Sequence, residues 1–353
     1  MYLQVPFTSI PGWQSAAFAP GVRAFSAGCA RLAAAHPLRR ACDVALALPP
    51  DDEAAARAFI EARFAAWSIA STDGQAEGMI TGYYEPVMAG SRTRTDRYRF
   101  AIYGVPEDLV AADLENVNPE LKGMRLRGRM DGRRLVPYWS RAEIESRNGF
   151  NAPVLAWVED PVELMFLQIQ GSGQIELASG ERLRLGYGDH NGHPYRSIGR
   201  YLVQRDELSL DQASMQGIKS WAAANPRKLR EALDSNPSYV FFREIRPTNA
   251  QPGTPDGPIG TLGAPLSAGY SLAVDTRSVP LGAPVFLATT LPLSTQPLQR
   301  LMAAQDTGGA IRGAVRADFY WGSGAEAGAL AGRMRQSGRM WILWPLNEGQ
   351  PKP

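Results

Sequence analysis

Near the N-terminus, hydrophobic positions recur at the spacing of a helix. In residues 51–71, Ile60, Phe64 and Trp67 stand at i, i+4 and i+7 after the acidic pair Asp51 and Asp52, which predicts a helix with one apolar face. We therefore expect residues 21–70 to be mainly helical. From about Met79 the pattern changes to short β-branched and aromatic runs bounded by glycine and proline, which predicts strands.

The rest of the chain has mostly the pattern of strands and turns. We interpret ELMFLQIQGSGQIEL (163–177) as strand and turn, and predict helices from Ser209, where Ser-Leu-Asp-Gln has the spacing of a capping box, and from Asn225-Pro226. A Pro/Gly/Thr linker is expected at 247–260. Strands recur after it up to RMWILWP, with one helix at 325–336.

Composition limits the possible functions. The 353 residues include 37 lysines and arginines against 35 aspartates and glutamates, a net charge of +2, so there is no basic field and we expect no nucleic-acid partner. Length and hydrophobic content allow about two domains. The chain has no apolar run long enough to span a membrane and no signal-like start, which predicts a soluble protein, either cytoplasmic or exported with its signal removed.

The only two cysteines in the sequence are Cys29 and Cys42. They cannot form a four-thiolate zinc site by themselves. Two interpretations stay open: two buried thiols on helical faces, or a disulfide formed in an oxidising compartment.

Three aspartates are the strongest candidates for chemistry. Asp275, Asp306 and Asp318 each follow a short apolar run. A single aspartate at a strand end usually caps a turn, but neighbouring strands would bring the three carboxyl groups together. Burial and like charge would then raise the pKa of one of them enough for it to act as a general acid, as cleavage of a glycosidic bond requires. Neighbouring glycines would leave room for a polymer to approach the backbone: Gly308, Gly309, Gly313, Gly322 and Gly324. The neighbouring aromatic residues could line a sugar site, but core packing explains them as well: Phe319, Tyr320 and Trp321.

The histidines are weaker candidates, as ligands of a metal ion. Asp189, His190 and His193 lie in GDHNGHP, a composition typical of turns. We therefore predict no metal and no cofactor.

Several blocks of the sequence resemble, in order, the membrane-bound lytic murein transglycosylase A family with its three-aspartate domain. The blocks are MITGYYEPVMAGSRTRTDRYRFAIYG (79–104), PYWSRAEIE (137–145), LAWVEDPVELMFLQIQGSG (155–173), GYGDHNGHPYRSIGRYL (186–202), NPSYVFFRE (236–244) and the segment 271–324.

The resemblance implies a mainly β fold with peripheral helices. A double-psi β-barrel domain would comprise residues 1–104 and 244–353, interrupted by a smaller β-barrel-like domain at 105–243, with a groove between them. It also implies a peptidoglycan substrate, cut between N-acetylmuramic acid and N-acetylglucosamine to leave 1,6-anhydromuramyl ends. Asp318 falls on the family's catalytic acid/base.

The remaining site residues are predicted from the chemistry of their side chains within the matching segments. Asp306 is expected to be a partner of Asp318 or, alternatively, a cap of the following turn, and Asp275 is expected to be more structural than catalytic. The candidates for substrate binding are Tyr83, Tyr84, Glu85, Gln168, Gln170, Ser172, Asp275 and Tyr320. Strand alternation directs one of the two adjacent tyrosines into the core, and a position on an edge strand explains Gln168, Gln170 and Ser172 nearly as well.

Two other functions remain open at this point: a non-catalytic glycan-binding or scaffolding protein, and a hydrolytic glycosidase in which a second acid activates water. The family resemblance implies a periplasmic monomer, anchored to the outer membrane in many members, that acts on glycan strands alongside other cell-wall proteins.

Overall fold

The structure is a computed structural model that describes residues 1–114, 116–117, 126–147, 149–245 and 257–352. Its strands are β1 (Tyr2–Val5), β2 (Phe64–Ile69), β3 (Gly78–Glu85), β4 (Val87–Ser91), β5 (Phe100–Tyr103), β6 (Val110–Ala112), β7 (Leu126–Asp131), β8 (Arg134–Pro137), β9 (Val154–Val158), β10 (Gly173–Leu177), β11 (Arg182–His190), β12 (Val240–Glu244), β13 (Ser271–Val274), β14 (Pro284–Thr290), β15 (Pro297–Asp306), β16 (Ala317–Ser323) and β17 (Arg335–Pro345). Its α-helices are α1 (Ala19–Gly28), α2 (Arg39–Ala45), α3 (Glu53–Arg63), α4 (Arg141–Ser146), α5 (Pro161–Gln170), α6 (Ile198–Gln204), α7 (Met215–Ala224), α8 (Leu229–Asp234) and α9 (Gly324–Ala331). The mainly β fold with helices is as expected.

The chain divides into two compact units. The first comprises Met1–Glu85 and Thr248–Pro353, and the second comprises Pro86–Pro247. The predicted first junction, at 104, is therefore too late, because β4 and β5 hydrogen-bond to β9 and so belong to the second sheet. Most of the predicted linker at 247–260 lies outside the described residues.

A barrel-like sheet forms the first unit. Its strand order is β1-β2-β17-β14-β15-β13-β16-β3, and β17 also pairs with β3. β17 can take part in three pairings because it is long: Arg335–Gly338 pair with β3, while later residues pair with β14 and β2. The six strands from β17 through β14, β15, β13, β16 and β3 back to β17 thus form a closed circuit of hydrogen-bonded neighbours.

Helices α1 to α3 pack on this sheet through one continuous apolar core. Gly21 of α1 lies so close to β15 that an added Cβ would stand 2.4 Å from the Leu301 carbonyl oxygen. The buried Gln305 side chain, at the end of β15, donates to the Ala24 carbonyl of α1 at 2.7 Å. Cys29 and Cys42 form a disulfide that joins the end of α1 to α2, which decides between the two interpretations left open by the sequence.

The predicted helical region is only partly helical. α3 ends at Arg63, and Phe64 and Trp67 lie in β2, so their helical spacing to Ile60 misleads. β2 is a strand because it pairs with β1 and β17 along its length, and this sheet pairing overrides the local pattern. Similarly, the helix predicted at 325–336 ends at Ala331, because the chain from Arg335 onward pairs in the sheet as β17.

The second unit contains a six-stranded sheet, β12-β11-β10-β4-β9-β5, and a three-stranded sheet, β6-β7-β8. Here ELMFLQIQ forms helix α5 and not the predicted strand. Asp160 caps this helix through the Val162 and Glu163 amides, Pro161 occupies its first turn, and Gly171 ends it in the left-handed region at φ 78°. These are sequence signals for a helix, and the continuous apolar run concealed them.

The helix starts predicted downstream are also displaced. The capping box at Ser209 exists, but it closes a short 3₁₀ turn, Leu210–Gln212. α7 begins after Ser214, whose hydroxyl accepts from the Gly217 amide, and α8 begins at Leu229. Across the described ranges, no helix combines the length and apolarity needed to cross a bilayer.

Candidate active site

Two of the three predicted aspartates lie in one row across four neighbouring strands. Asp306 of β15 stands opposite Ala273 of β13, Ala273 stands opposite Asp318 of β16, and Asp318 stands opposite Thr81 of β3. Residues opposite one another in a sheet project to the same side. The carboxyl groups of Asp306 and Asp318 therefore share a face, with only the methyl group of Ala273 on the strand between them.

Strand alternation sets the environment of Asp318. Ala317 and Phe319, its neighbours along β16, are fully buried in the barrel core, whereas Asp318 is partly exposed on the other face. The Thr81 hydroxyl donates to Asp318 Oδ1 at 2.5 Å. Within the described residues, Asp318 Oδ2 accepts no hydrogen bond.

The guanidinium group of Arg316 contacts Thr81. Arg316 Nη2 donates to Thr81 Oγ1 at 2.9 Å, and Nη1 donates to the Ala317 carbonyl at 2.6 Å. The guanidinium group thus hydrogen-bonds to the hydroxyl and to the main chain, and no described arginine or lysine forms an ion pair with Asp318.

Asp306 is held from two sides. Its Oδ1 accepts from the amide and the hydroxyl of Thr261, both at 2.9 Å, and its Oδ2 accepts from the Tyr83 hydroxyl at 3.2 Å. The Tyr83 ring lies 5.2 Å from the ring of Tyr320, which is buried. Asp306 therefore connects the loop at Thr261 to the aromatic side chains of the site, and the structure brings Asp306, Asp318, Tyr83 and Tyr320 together.

Burial governs the acidity of both carboxyl groups. Loss of solvation raises the pKa of Asp318, the charge of Asp306 raises it further, and the Thr81 hydrogen bond and Arg316 oppose the rise. Burial likewise raises the pKa of Asp306 against the hydrogen bonds from Thr261 and Tyr83. A carboxyl group whose pKa is raised in this way keeps its proton to a higher pH, which a general acid requires.

Asp275 has a different environment. It is buried, Arg277 donates to both of its oxygens at 3.0 and 2.7 Å, and the Gly313 amide donates to Oδ2 at 2.8 Å. The hydrogen bonds from Arg277 are the main reason that its pKa falls to about 2. Asp275 fastens the glycine-rich loop that precedes β16, so this geometry supports the structural role and gives no support to its place among the substrate-binding residues.

The other residues predicted from TGYYEP divide between site and core. Tyr83 faces Asp306, while Tyr84 is buried, with ring atoms about 3 Å from where a Cβ on Gly328 of α9 would stand. Opposite orientations are what strand alternation predicts for adjacent residues. Glu85 is buried at the end of β3.

The predicted polar residues of LQIQGSG lie at the end of α5 and not on a strand. Gln168 is buried, and its side-chain oxygen accepts a hydrogen bond from Arg141 of α4. Its side chain therefore connects α5 to α4. Gln170 and Ser172 flank the helix C-cap at Gly171 and are partly exposed. Their role in binding stays a prediction.

The side chains of GDHNGHP serve the local fold. Asp189 accepts from Arg127 at 2.8 Å, His190 Nδ1 accepts from the Gly192 amide at 2.9 Å, and His193 Nε2 lies 2.8 Å from the Tyr138 carbonyl. Among the residues that the structure describes, no three His, Cys, Asp or Glu side chains are arranged to hold a metal ion.

The sequence analysis missed Thr81, Arg316 and Thr261. Thr81 begins the TGYYEP motif and Arg316 lies two residues before Asp318, so both stood beside recognised positions. Their importance comes from the register of β3 against β16, which no local pattern reveals.

Comparison with family models defines the class of protein. A model described as the 3D domain matches residues 270–344, which contain all three aspartates, and a model described as the MltA specific insert domain matches residues 79–243. The chain is therefore a 3D-domain protein that carries the MltA insert.

Comparison with individual proteins defines the family. The membrane-bound lytic murein transglycosylase A of Escherichia coli K12 is 32% identical over 285 residues, which cover 79% of this chain and 68% of that protein. The crystal structure of MltA from Neisseria gonorrhoeae, monoclinic form, matches with 41% identity and a TM-score of 0.87, covering 100% of this chain and 94% of that one. E. coli MltA with bound chitohexaose matches with 28% identity and a TM-score of 0.69, covering 94% and 91%. This chain belongs to the membrane-bound lytic murein transglycosylase A family, as its motifs predicted.

Proposed function

We propose that this protein is a lytic transglycosylase that cleaves the β-1,4 bond between N-acetylmuramic acid and N-acetylglucosamine in peptidoglycan and leaves 1,6-anhydromuramyl ends. The observation that carries the proposal is Asp318, a carboxyl group with a raised pKa, one oxygen held by Thr81 and the other without a hydrogen-bond partner in the described chain. The name of the E. coli relative and the chitohexaose bound to E. coli MltA support a glycan substrate.

One carboxyl group is sufficient for this reaction. Asp318 donates its proton to the glycosidic oxygen as the bond from that oxygen to C1 of the muramyl residue breaks. The C6 hydroxyl oxygen of the same residue then bonds to C1, and its proton returns to Asp318. No water enters the products, so the second acid with which an ordinary glycosidase activates water is not required.

Asp306, Tyr83 and Tyr320 complete the proposed site. The negative charge of Asp306 helps to keep Asp318 protonated, and the Tyr83 hydroxyl holds Asp306. A tyrosine ring and hydroxyl also suit a sugar, which presents both apolar and polar faces. We retain Gln170 and Ser172 as candidates for sugar binding and a double-psi arrangement for the barrel, which the closed six-strand circuit and its parallel pairs β13–β15 and β16–β3 support.

We also propose that the protein acts in the periplasm, anchored to the outer membrane. The name of the relatives, membrane-bound, supports this. So does the disulfide between Cys29 and Cys42, because such bonds persist in oxidising compartments.

Digestion of purified murein sacculi tests the function. The wild type should release muropeptides with 1,6-anhydro ends, and Asp318→Asn should lower the rate by about 10³-fold or more while preserving the fold. Mass spectrometry separates the other functions: reducing muramyl ends, heavier by one water, would identify a hydrolase. Unchanged biological activity of Asp318→Asn would identify a non-catalytic glycan-binding protein.

A further inference from the structure

Arg316 contacts the hydroxyl group that contacts the proposed acid. Its Nη2 lies 2.9 Å from Thr81 Oγ1, which lies 2.5 Å from Asp318 Oδ1. Its Nη1 donates to the carbonyl oxygens of Ala317 in β16 and Met79 in β3, at 2.6 and 3.4 Å. The guanidinium group is therefore tied to the two paired strands that carry Asp318 and Thr81.

These contacts fix the direction of each hydrogen bond. A guanidinium group can only donate, so Thr81 Oγ1 is the acceptor toward Arg316. The single hydroxyl proton of Thr81 then points to its other neighbour, Asp318 Oδ1. Because Oδ1 accepts this bond in both the protonated and the ionised state of the carboxyl group, the proton that Asp318 itself carries resides on Oδ2.

We propose that Arg316 is a positioning residue that acts through Thr81, keeping Asp318 Oδ1 a permanent acceptor and reserving Oδ2 for the proton exchanged with the substrate. The inference rests on the proposed function and deepens it by assigning different tasks to the two oxygens. It also gives Arg316 a role that the three-aspartate pattern does not contain. Oδ2 loses its proton to the glycosidic oxygen and regains one from the C6 hydroxyl, while the bonds among Arg316, Thr81 and Oδ1 stay unchanged.

Arg316 should also set the pH at which the acid loses its proton. The positive charge and the Thr81 hydrogen bond both favour the ionised carboxyl group, whereas burial and Asp306 favour the protonated one. Removing the charge of Arg316 therefore leaves Asp318 protonated to a higher pH. The other charged or titratable side chains on β16, on its partner β3 and on α9, which packs against it, are Tyr83, Tyr84, Glu85, Tyr320 and Glu326. The next strands and the end of β13 add Arg300, Asp306, Arg335, Arg339 and Asp275.

The experiment measures kcat/KM for the release of 1,6-anhydromuropeptides from sacculi as a function of pH. The alkaline limb of this profile reports the acid of the free enzyme. Arg316→Gln should move that limb to higher pH by about one unit, while Arg316→Lys, which keeps the charge, should leave it near the wild-type position. Arg312→Gln is the matched control and should not move the limb. Arg312 is an exposed arginine of the same segment, and it forms no hydrogen bond or ion pair with a described residue of the site.

A second pair of variants tests the path through the hydroxyl. Thr81→Val removes the donor to Oδ1 and should also move the limb to higher pH, whereas Thr81→Ser retains the hydroxyl and should not. Thermal melting shows which variants are folded, and the Thr81 pair decides the question if Arg316→Gln does not fold.

The outcomes separate this inference from the proposed function. Loss of activity at every pH with an unmoved limb in both Arg316→Gln and Thr81→Val would overturn the inference and reduce Arg316 to a support of the strands. If Asp318→Asn is inactive in the same assay, the proposed function survives that result. If Asp318→Asn keeps its turnover, the proposed function fails first.

Discussion

At position 318, a single carboxyl group experiences opposing influences from its neighbours. Burial and Asp306 raise its pKa, and Thr81 and Arg316 lower it. Each neighbour can be changed separately, so the sign of its contribution is open to measurement.

Asp306→Asn should shift the alkaline limb of kcat/KM to lower pH, opposite to Arg316→Gln. The substitution removes a negative charge that disfavours ionisation of Asp318, while an amide oxygen can still accept from Thr261. The pH profile on sacculi measures the shift. An alkaline shift would show that Asp306 does not act on Asp318 by charge.

Asp275→Asn should affect stability more than catalysis. The folded-state pKa of Asp275 is about 2, below the ordinary value of about 3.9, so its stabilisation is fully present above that ordinary value and is lost as the pH falls through 2. Because Arg277 is largely exposed and screened, we expect a loss of about 1 kcal/mol at neutral pH.

Urea unfolding of the wild type and Asp275→Asn measures this loss. The two proteins should differ at pH 7 and converge at pH 2 and below. A difference that persists at low pH would assign the effect to packing and not to charge.

Sequence alone recovers residues better than their contacts. Asp306, Asp318 and Tyr83 were identified because they lie in recognisable motifs. Thr81 and Arg316 were not, because their hydrogen bonds depend on how β3 and β16 align. Gln168 was predicted to lie on a strand because its run of apolar neighbours suits a strand as well as a buried helix.

At the level of elements, β13 is the spacer between the two acidic strands. Ala273 is buried between Asp306 and Asp318 in the row, so a larger side chain there would enter the space that the carboxyl groups share. Ala273→Val should reduce kcat at least about tenfold and lower stability by about 1–3 kcal/mol. Ala288→Val is the control, because Ala288 of β14 stands opposite Gln299, near the other end of β15.

Initial rates on sacculi and urea unfolding measure both effects. Full activity of Ala273→Val would show that the row tolerates bulk, and that the two carboxyl groups do not depend on this spacing.

The helices of the first unit depend on a covalent link as well as on packing. The disulfide closes a sequence separation of 13 residues, for which the loss of loop entropy predicts about 3 kcal/mol of stabilisation. Replacing both cysteines by alanine should lower the free energy of unfolding by that amount. Guanidinium titrations with and without reductant check this, since reductant should destabilise the wild type alone.

Element prediction failed where partners distant in sequence determine the outcome. β2 and the start of β17 have helical neighbours and helical spacing, yet both are strands because sheet partners are available. The helices α1, α3 and α9 lie within predicted helical regions, though their lengths differ from those predicted. For α3 the signal is local, because Asp52 caps the helix and its apolar positions recur at helical spacing.

On the scale of the whole molecule, each unit has its own hydrophobic core or cores among the described residues. The largest core consists of residues from the first unit only, and the cores around Ile175, Trp221 and Phe241 consist of residues from the second. The junction near 85 was beyond sequence analysis, because β3 and β4 are adjacent in the chain and similar in composition.

A fragment spanning residues 86–245 should therefore fold by itself. We expect cooperative urea unfolding with the far-ultraviolet dichroism of a mixed α/β protein, because its cores contain no residue of the first unit. A fragment without a cooperative transition would show that the insert depends on the barrel.

The disulfide between Cys29 and Cys42 has a consequence for when the protein reaches its fully supported structure. It secures α1, and α1 is joined through Ala24 to Gln305, the residue immediately before Asp306. In the periplasmic location proposed above, the disulfide would form only after export from the reducing cytosol. The proposed active site would then gain its full structural support only in the compartment that contains its substrate.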